Sequence, residues 1–216
     1  MIGIARRGAR LKTWKKLIMI KTVVFDIGCV LIGFDWDAYV HRLFDEETAE
    51  IVTSCAFKCP FWKEMDRGEM EQPEILAKMI EQAPEYAEQI RESVVRIDEC
   101  VERTDYAIPW IESLKARGYR VLYLSNYSDW VMSKSGHAFD FLEHMDGGIF
   151  SYKVHCIKPD EEIYRKLFDR YNLAPEECVF IDDSPANIET ARRLGMKGIV
   201  FENYDHARAE LKALLK

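Results

Sequence analysis

Four short stretches, far apart in the chain, carry side chains able to do chemistry together. Val-Val-Phe-Asp26-Ile-Gly28 ends an apolar run on a carboxylate, and Leu-Tyr-Leu-Ser125-Asn126 ends another on a hydroxyl and an amide. Lys158-Pro159 puts an ammonium at the start of a helical stretch, and Cys-Val-Phe-Ile-Asp182-Asp183 ends a further apolar run on paired acids. A carboxylate at a strand end can attack phosphorus and carry the phosphoryl group covalently, although an aspartate there can equally be a turn or helix-cap residue. Ser125 and Asn126 could hold a phosphoryl oxygen, or cap a helix near residues 127–135. The Lys158 ammonium would balance the charge of nucleophile and phosphate together. Adjacent carboxylates that end a buried run repel each other and lose solvation, a cost that a cation offsets. Magnesium prefers oxygen ligands and suits one or two carboxylates plus a substrate phosphate. Asn187, four residues after Asp183, is placed to help.

These side chains meet only if the runs that carry them are parallel strands, because ligands bind at the carboxyl ends of an open parallel sheet. Residues 22–26, 119–125, 177–182 and 197–201 are β-branched and aromatic runs of the kind that form buried strands. Helical spacing separates them: Ile108, Ile111 and Leu114 before Gly118, then Ile163, Leu167 and Tyr171, then Ile188, Ala191 and Leu194 before Gly195. Such alternation predicts an α/β fold, a doubly wound Rossmann-like parallel sheet. From about residue 35 to 105 the alternation stops. Ile75, Leu76, Met79 and Ile80 form one amphipathic face, with Pro73 in the first turn of its helix. Ile90, Val94, Ile97 and Val101 form a second, and Asp45-Glu46-Glu47 before Ile51 and Val52 marks a third. No strand-like alternation is visible there. The expected organisation is therefore a core of residues 19–33 and 106–216 with a helical cap, residues 34–105, lying over the strand ends. Trp36, Tyr39, Phe57, Phe61 and Trp62 are the cap aromatics available to choose a substrate, or simply to pack the cap.

With 216 residues, 48% hydrophobic and 31% charged, the chain has the composition of an ordinary globular protein. No apolar stretch approaches the roughly 20 residues of a membrane span. Residues 34–105 hold 19 acids against 8 bases, which disfavours nucleic acid as a partner. The cysteines at 29, 55, 59, 100, 156 and 178 show no CxxC pair, so reduced thiols and a cytoplasmic location are expected. Cys55 and Cys59 would share a helix face, but no histidine or further cysteine is near enough in sequence for zinc. Residues 1–18 carry six basic side chains and no acid. They read as a leader outside the core, with Met19 an alternative start and a basic interaction arm the other possibility.

Taken together, the four stretches resemble the motifs of the haloacid dehalogenase superfamily of hydrolases, in order and over nearly all of residues 20–201. The resemblance rests on Phe-Asp26-Ile-Gly-Cys-Val-Leu, Leu-Ser125-Asn126, Lys158-Pro-Asp-Glu-Glu-Ile-Tyr and Phe-Ile-Asp182-Asp183-Ser-Pro-Ala-Asn187. It implies a magnesium-dependent phosphatase of small phosphorylated metabolites, sugar phosphates among them, working through an aspartyl phosphate. It makes Asp26 the nucleophile, Ser125 and Asn126 phosphate binders and Lys158 the neutralising charge. Asp26, Asp183 and the backbone carbonyl of Gly28 would hold Mg2+, with Asp182 and Asn187 accessory. One departure stands out: phosphatases of this superfamily usually carry a second aspartate where this chain has Gly28, and that group protonates the leaving group. A glucose-1-phosphatase-like branch is similar in having glycine there. Asp35 or Asp37 could replace the missing acid, though both suit helix starts better. Two other readings remain open. A metal-independent 2-haloacid dehalogenase shares the nucleophile, but Asp182-Asp183 would repel its carboxylate substrate. A catalytically weak binder of phosphorylated ligands has Gly28 as its main support.

Overall fold

Thr22–Phe25 (β1) is buried along its whole length, as a parallel strand with helices on both faces must be. The computed structural model describes residues 19–215; the basic leader expected at 1–18 lies outside them, as does Lys216. The other strands are Ile32–Phe34 (β2), Val101–Arg103 (β3), Arg120–Ser125 (β4), Gly148–Phe150 (β5), Cys178–Asp182 (β6) and Lys197–Val200 (β7). Five of them form one parallel sheet in the order β5-β4-β1-β6-β7. The chain works outward from β1 through β4 to β5, then returns to the other side of β1. The order thus reverses between β1 and β6, where sheets of this kind open a crevice.

The helices are Trp36–Leu43 (α1), Glu46–Val52 (α2), Phe61–Arg67 (α3), Gln72–Glu81 (α4), Ala87–Val95 (α5), Ala107–Ala116 (α6), Asp129–Ser135 (α7), Glu161–Tyr171 (α8), Pro185–Arg193 (α9) and Tyr204–Leu214 (α10). Alternate side chains of β1 feed the two faces of the sheet. Val23 and Phe25 pack with Trp110, Ile111 and Leu114 of α6 and Leu211 of α10. Val24 joins Leu122, Leu124 and Phe180 against Ile163, Tyr164 and Leu167 of α8 and Ile188 of α9. Among the described residues no helix is long and apolar enough to cross a membrane.

The segment between β1 and β4 is not purely helical, contrary to the sequence pattern. β2 and β3 pair antiparallel, Ile32 with Arg103 and Phe34 with Val101. The apolar face running from Ile90 to Val101 is correspondingly split. Arg96, bonded to both Glu92 and Glu99, follows the last residue of α5, and a 3-10 turn at Ile97–Cys100 delivers Val101 into β3. The edge strand β5 is too short for alternation to announce it. All six cysteines are free thiols. Cys55 lies in a π-helical turn, Thr53–Phe57, that continues α2, and Cys59 lies just beyond it; both are buried.

Candidate active site

Register alone brings two carboxylates together. Phe25 pairs with Ile181, and the Asp26 N–H donates to the Ile181 carbonyl at 2.8 Å, so Asp26 and Asp182 emerge side by side from neighbouring strands. Between them stands Lys158, which is 3% exposed. Its Nζ lies 2.8 Å from Asp26 Oδ1 and 2.6 Å from Asp182 Oδ2. Burial works against that charge, but Asp182 and then Asp26 outweigh it and the lysine pKa is raised, so the ammonium persists. Asp26 is pushed up to about 7 by burial, against the pull of Lys158 and with the repulsion of Asp182 and Asp183. Its Oδ1 also accepts the Ile27 N–H at 2.7 Å. Among the described residues Oδ2 has no hydrogen-bond donor.

The paired acids at the end of β6 differ sharply. Asp182 is fully buried, and its carboxylate accepts the Ser184 N–H at 2.8 Å, the Asn187 amide at 2.9 and 3.0 Å, and Lys158. Those bonds make it the anchor for Lys158 and Asn187. Asp183 is exposed at its surface, yet enough protein surrounds its carboxyl that desolvation, followed by Asp182, raises its pKa. Oxygens of Asp26, Asp182 and Asp183 all lie within 4.8 Å of one another. Three carboxylates against one ammonium leave excess negative charge in a small volume, and that donor set suits a divalent, oxygen-seeking cation. Gly28 adds open space beside it: a Cβ built there would meet nothing within 4 Å.

Ser125 and Asn126 have parted company. The Ser125 hydroxyl is buried and, among the described residues, has no hydrogen-bond partner, an uncommon state for a buried polar group and one that a phosphoryl oxygen would satisfy. The Asn126 side chain instead clasps the main chain of Lys158: Nδ2 donates to its carbonyl at 3.0 Å and Oδ1 accepts its N–H at 2.8 Å. Neither residue caps α7, because Ser128 does so, its Oγ accepting the Val131 N–H at 3.1 Å. Asp35 caps α1 through the Ala38 N–H at 3.0 Å, and Asp37 is exposed in the first turn of that helix. Of the aromatics, Trp36 stacks on Phe57 at 5.7 Å and Phe57 meets Trp62 at 5.5 Å. Tyr39 is buried with its hydroxyl on Ser93, and Phe61 lies under Lys78.

Sequence reasoning passed over two residues. The Ser151 hydroxyl accepts the Tyr127 N–H at 2.9 Å and donates to the main-chain carbonyl of Asp66 at 2.5 Å, joining the Ser125 loop to α3. Asp66, half-buried on α3, senses both Lys158 and Asp26. The only signal for it was its place four residues after Trp62, on the same helix face.

Residues 20–195 match the profile described as a haloacid dehalogenase-like hydrolase. The chain belongs to that family. This haloacid dehalogenase-like hydrolase is 25% identical over 217 residues to D-ribitol-5-phosphate phosphatase of Bacteroides thetaiotaomicron, across 91% of this chain and 99% of that protein. It is 40% identical over 57 residues to flavin mononucleotide hydrolase 1 of Arabidopsis thaliana, a match spanning 26% of this chain and only 23% of that protein. A haloacid dehalogenase family enzyme from B. thetaiotaomicron, crystallised with magnesium and inorganic phosphate, superimposes with a TM-score of 0.67 at 22% identity, covering 87% of this chain and 98% of that one. L-2-haloacid dehalogenase from Xanthobacter autotrophicus, with chloropropionic acid covalently bound, does so at 0.61 and 15% identity, covering 89% and 82%. At these identities the structural likeness establishes the common fold, the parallel α/β sheet expected from the strand pattern.

Proposed function

We propose that this hydrolase is a magnesium-dependent phosphatase of small phosphorylated metabolites, sugar phosphates among them, that works through an aspartyl phosphate on Asp26. The observation that carries the reading is the buried Lys158 ammonium, 2.8 Å from Asp26 and 2.6 Å from Asp182, beside an unpartnered Ser125 hydroxyl. A nucleophile, a fixed positive charge and a free donor converge where a phosphoryl group would sit. The whole-length similarity to D-ribitol-5-phosphate phosphatase supports the same class of substrate. All six cysteines being free thiols fits a reducing compartment such as the cytoplasm.

Asp26, Asp183 and the Gly28 carbonyl would hold Mg2+. When bound, the ion supplies positive charge to the phosphoryl oxygens and relieves the repulsion among the carboxylates. Asp26 Oδ2 attacks phosphorus, the bond to the leaving oxygen breaks, and water then releases phosphate from the aspartyl ester. Lys158 and the Ser125 hydroxyl hold charge that develops on the phosphoryl group. Asn126 and Asp182 position Lys158, the first through its main chain and the second through its ammonium. The helices α1–α5 act as the cap that selects the rest of the substrate. A dehalogenase has less support, since three crowded carboxylates repel a haloacid.

Hydrolysis of p-nitrophenyl phosphate with magnesium and with EDTA, in the parent and in Asp26→Asn, tests the proposal. Metal-dependent turnover that disappears in the variant is expected. No turnover by the parent across a broad panel of phosphate esters would sink it, and metal-independent chloride release from 2-chloropropionate would favour the dehalogenase.

A further inference from the structure

On the phosphatase reading, Gly28 offers no side chain to protonate the leaving group. The two acids nearest in sequence do not fill the gap, because Asp35 is exposed and bonded to the Ala38 N–H while Asp37 is exposed on α1. The helical insertion packs another acid, Asp66 of α3, against the loop that follows Ser125. α3 ends at Arg67, and Gly68 turns there with φ 67° against the main chain of Tyr152, which a Cβ would meet at 2.9 Å. Three polar contacts hold the same turn to the segment on either side of Lys158, residues 151–160. Ser151 Oγ donates to the Asp66 carbonyl at 2.5 Å, His155 Nδ1 lies 3.1 Å from the Arg67 carbonyl, and Arg67 pairs with Asp160 at 3.3 Å. This close packing of α3 on the site loops sets Asp66 one hydroxyl away from Tyr127, two residues after Ser125, and its carboxyl feels the charges of Lys158 and Asp26. Among the described residues its carboxylate makes no hydrogen bond or ion pair, unlike its neighbour Arg67, which is shared between Asp160 and Glu64.

We propose that Asp66 is the general acid and base of this site, donating from the insertion the proton that other members deliver from the position of Gly28. The assignment rests on the phosphatase reading above. In the first half-reaction Asp26 Oδ2 bonds to phosphorus, the bond from phosphorus to the leaving oxygen breaks, and that oxygen takes its electron pair and the Asp66 proton to depart as an alcohol. In the second, water bonds to phosphorus and gives a proton to the Asp66 carboxylate. The Asp26 ester bond breaks, and inorganic phosphate leaves with Asp66 protonated again. Burial, opposed by Lys158 and aided by Asp26, lifts the Asp66 carboxyl to about 7, which suits a group that must both give and take a proton near neutrality. The open space at Gly28 is where the leaving group would lie.

The test compares glycerol 1-phosphate, a poor leaving group, with p-nitrophenyl phosphate, a good one, in the magnesium-loaded protein. Asp66→Asn is expected to lower the first turnover of the alkyl ester by roughly 10²–10⁴-fold and that of the aryl ester by much less. Gly28→Asp, added to Asp66→Asn, is expected to restore alkyl turnover at least about tenfold, because it puts a carboxyl back at the vacant position. A structural role for Asp66 predicts equal losses on both esters and no rescue, and that result overturns the assignment. In the parent the rate should also depend only weakly on leaving-group basicity across a series of esters. A steep dependence there overturns the assignment even if Asp66→Asn fails to fold. If the parent hydrolyses neither these two nor any other ester of a broad panel, the phosphatase reading falls and this assignment with it; turnover without the leaving-group signature refutes Asp66 alone.

Discussion

Replacing Lys158 by methionine removes a cation from between two buried carboxylates while keeping much of the side-chain volume. Asp26 is 7% exposed and Asp182 is 0% exposed, so neither can turn to water for compensation. Breaking a buried ion pair costs about 3–5 kcal/mol. Asp182 keeps its bonds from Ser184 and Asn187, and Asp26 keeps the Ile27 N–H, which points to the lower end, about 3 kcal/mol. For a chain of this size that lowers the melting temperature by roughly 6–12 °C. The pH dependence has a definite sign. Asp26 already holds its proton more tightly in the native than in the unfolded state, chiefly through burial, and without the lysine it loses the pull that opposes this, so stability falls as pH rises through its native pKa. The gap between parent and Lys158→Met should therefore widen from about pH 6 to about pH 8. Millimolar magnesium should recover part of the loss by returning positive charge to Asp26 and Asp183. Thermal melting followed by circular dichroism at both pH values, with and without the metal, measures all of this. A variant that melts within about 2 °C of the parent at the higher pH without metal would refute the electrostatic argument.

Asp66→Asn should stabilise the fold at alkaline pH. The native carboxyl titrates near 7 rather than 3.8, chiefly through burial, so its ionisation costs stability progressively as pH rises between those values, by about 1–3 kcal/mol once solvent screening is allowed for. Urea titrations at about pH 8 and about pH 4 should show a gain at the first that vanishes at the second; equal effects would contradict the shift. Ser125→Ala removes a buried hydroxyl that has no partner among the described residues, so the free protein should lose no stability and should gain up to about 1 kcal/mol. Inhibition by inorganic phosphate should nevertheless weaken about tenfold, and unchanged inhibition would separate Ser125 from the phosphate site. Gly148→Ala drives a methyl into the ring and carbonyl of Tyr123 across the β4–β5 pair. A loss of about 1–3 kcal/mol by denaturant titration is expected, and a neutral result would mean that the edge strand can move aside.

The sheet could be read from the sequence because its central strands β1, β4 and β6 are largely buried on both faces and therefore mostly apolar, while the helices between them show a single apolar stripe. β5 escaped because three residues, Gly148 to Phe150, carry no period. The β2–β3 ribbon escaped because each of its strands is also only three residues long, and because Val101 continues the helical spacing of Ile90, Val94 and Ile97. At the site, Asp26, Lys158, Asp182 and Asp183 were legible as residues whose charges make sense only together. What each one bonds to was not. Adjacent acids look alike in sequence, yet one backs onto Lys158 and Asn187 while the other faces solvent, since successive residues at a strand end point in opposite directions. Asn126 seemed a ligand for phosphate because nothing in sequence tells that its amide meets the Lys158 main chain, 32 residues on. Asp66 lay on α3, a helix whose aromatic residues drew attention while its acid looked like one of many in an acidic segment.

The ribbon of β2 and β3 has a consequence for how such a molecule can be rebuilt. It sets the two ends of the insertion opposite each other, Phe34 facing Val101, and antiparallel partners stand only about 4.5–5.5 Å apart. The chain leaves and rejoins the core through a single doorway narrow enough for a two-residue turn to close. Whatever lies beyond that doorway is a cassette that can be trimmed, extended or grafted from another protein without rerouting the strands that carry Asp26, Ser125 and Asp182. If Asp66 is the donor we assign, the cassette carries more than a choice of substrate. A graft would then exchange the proton chemistry of the leaving group together with the walls of its binding site, and Gly28 is the place where the core could take that task back.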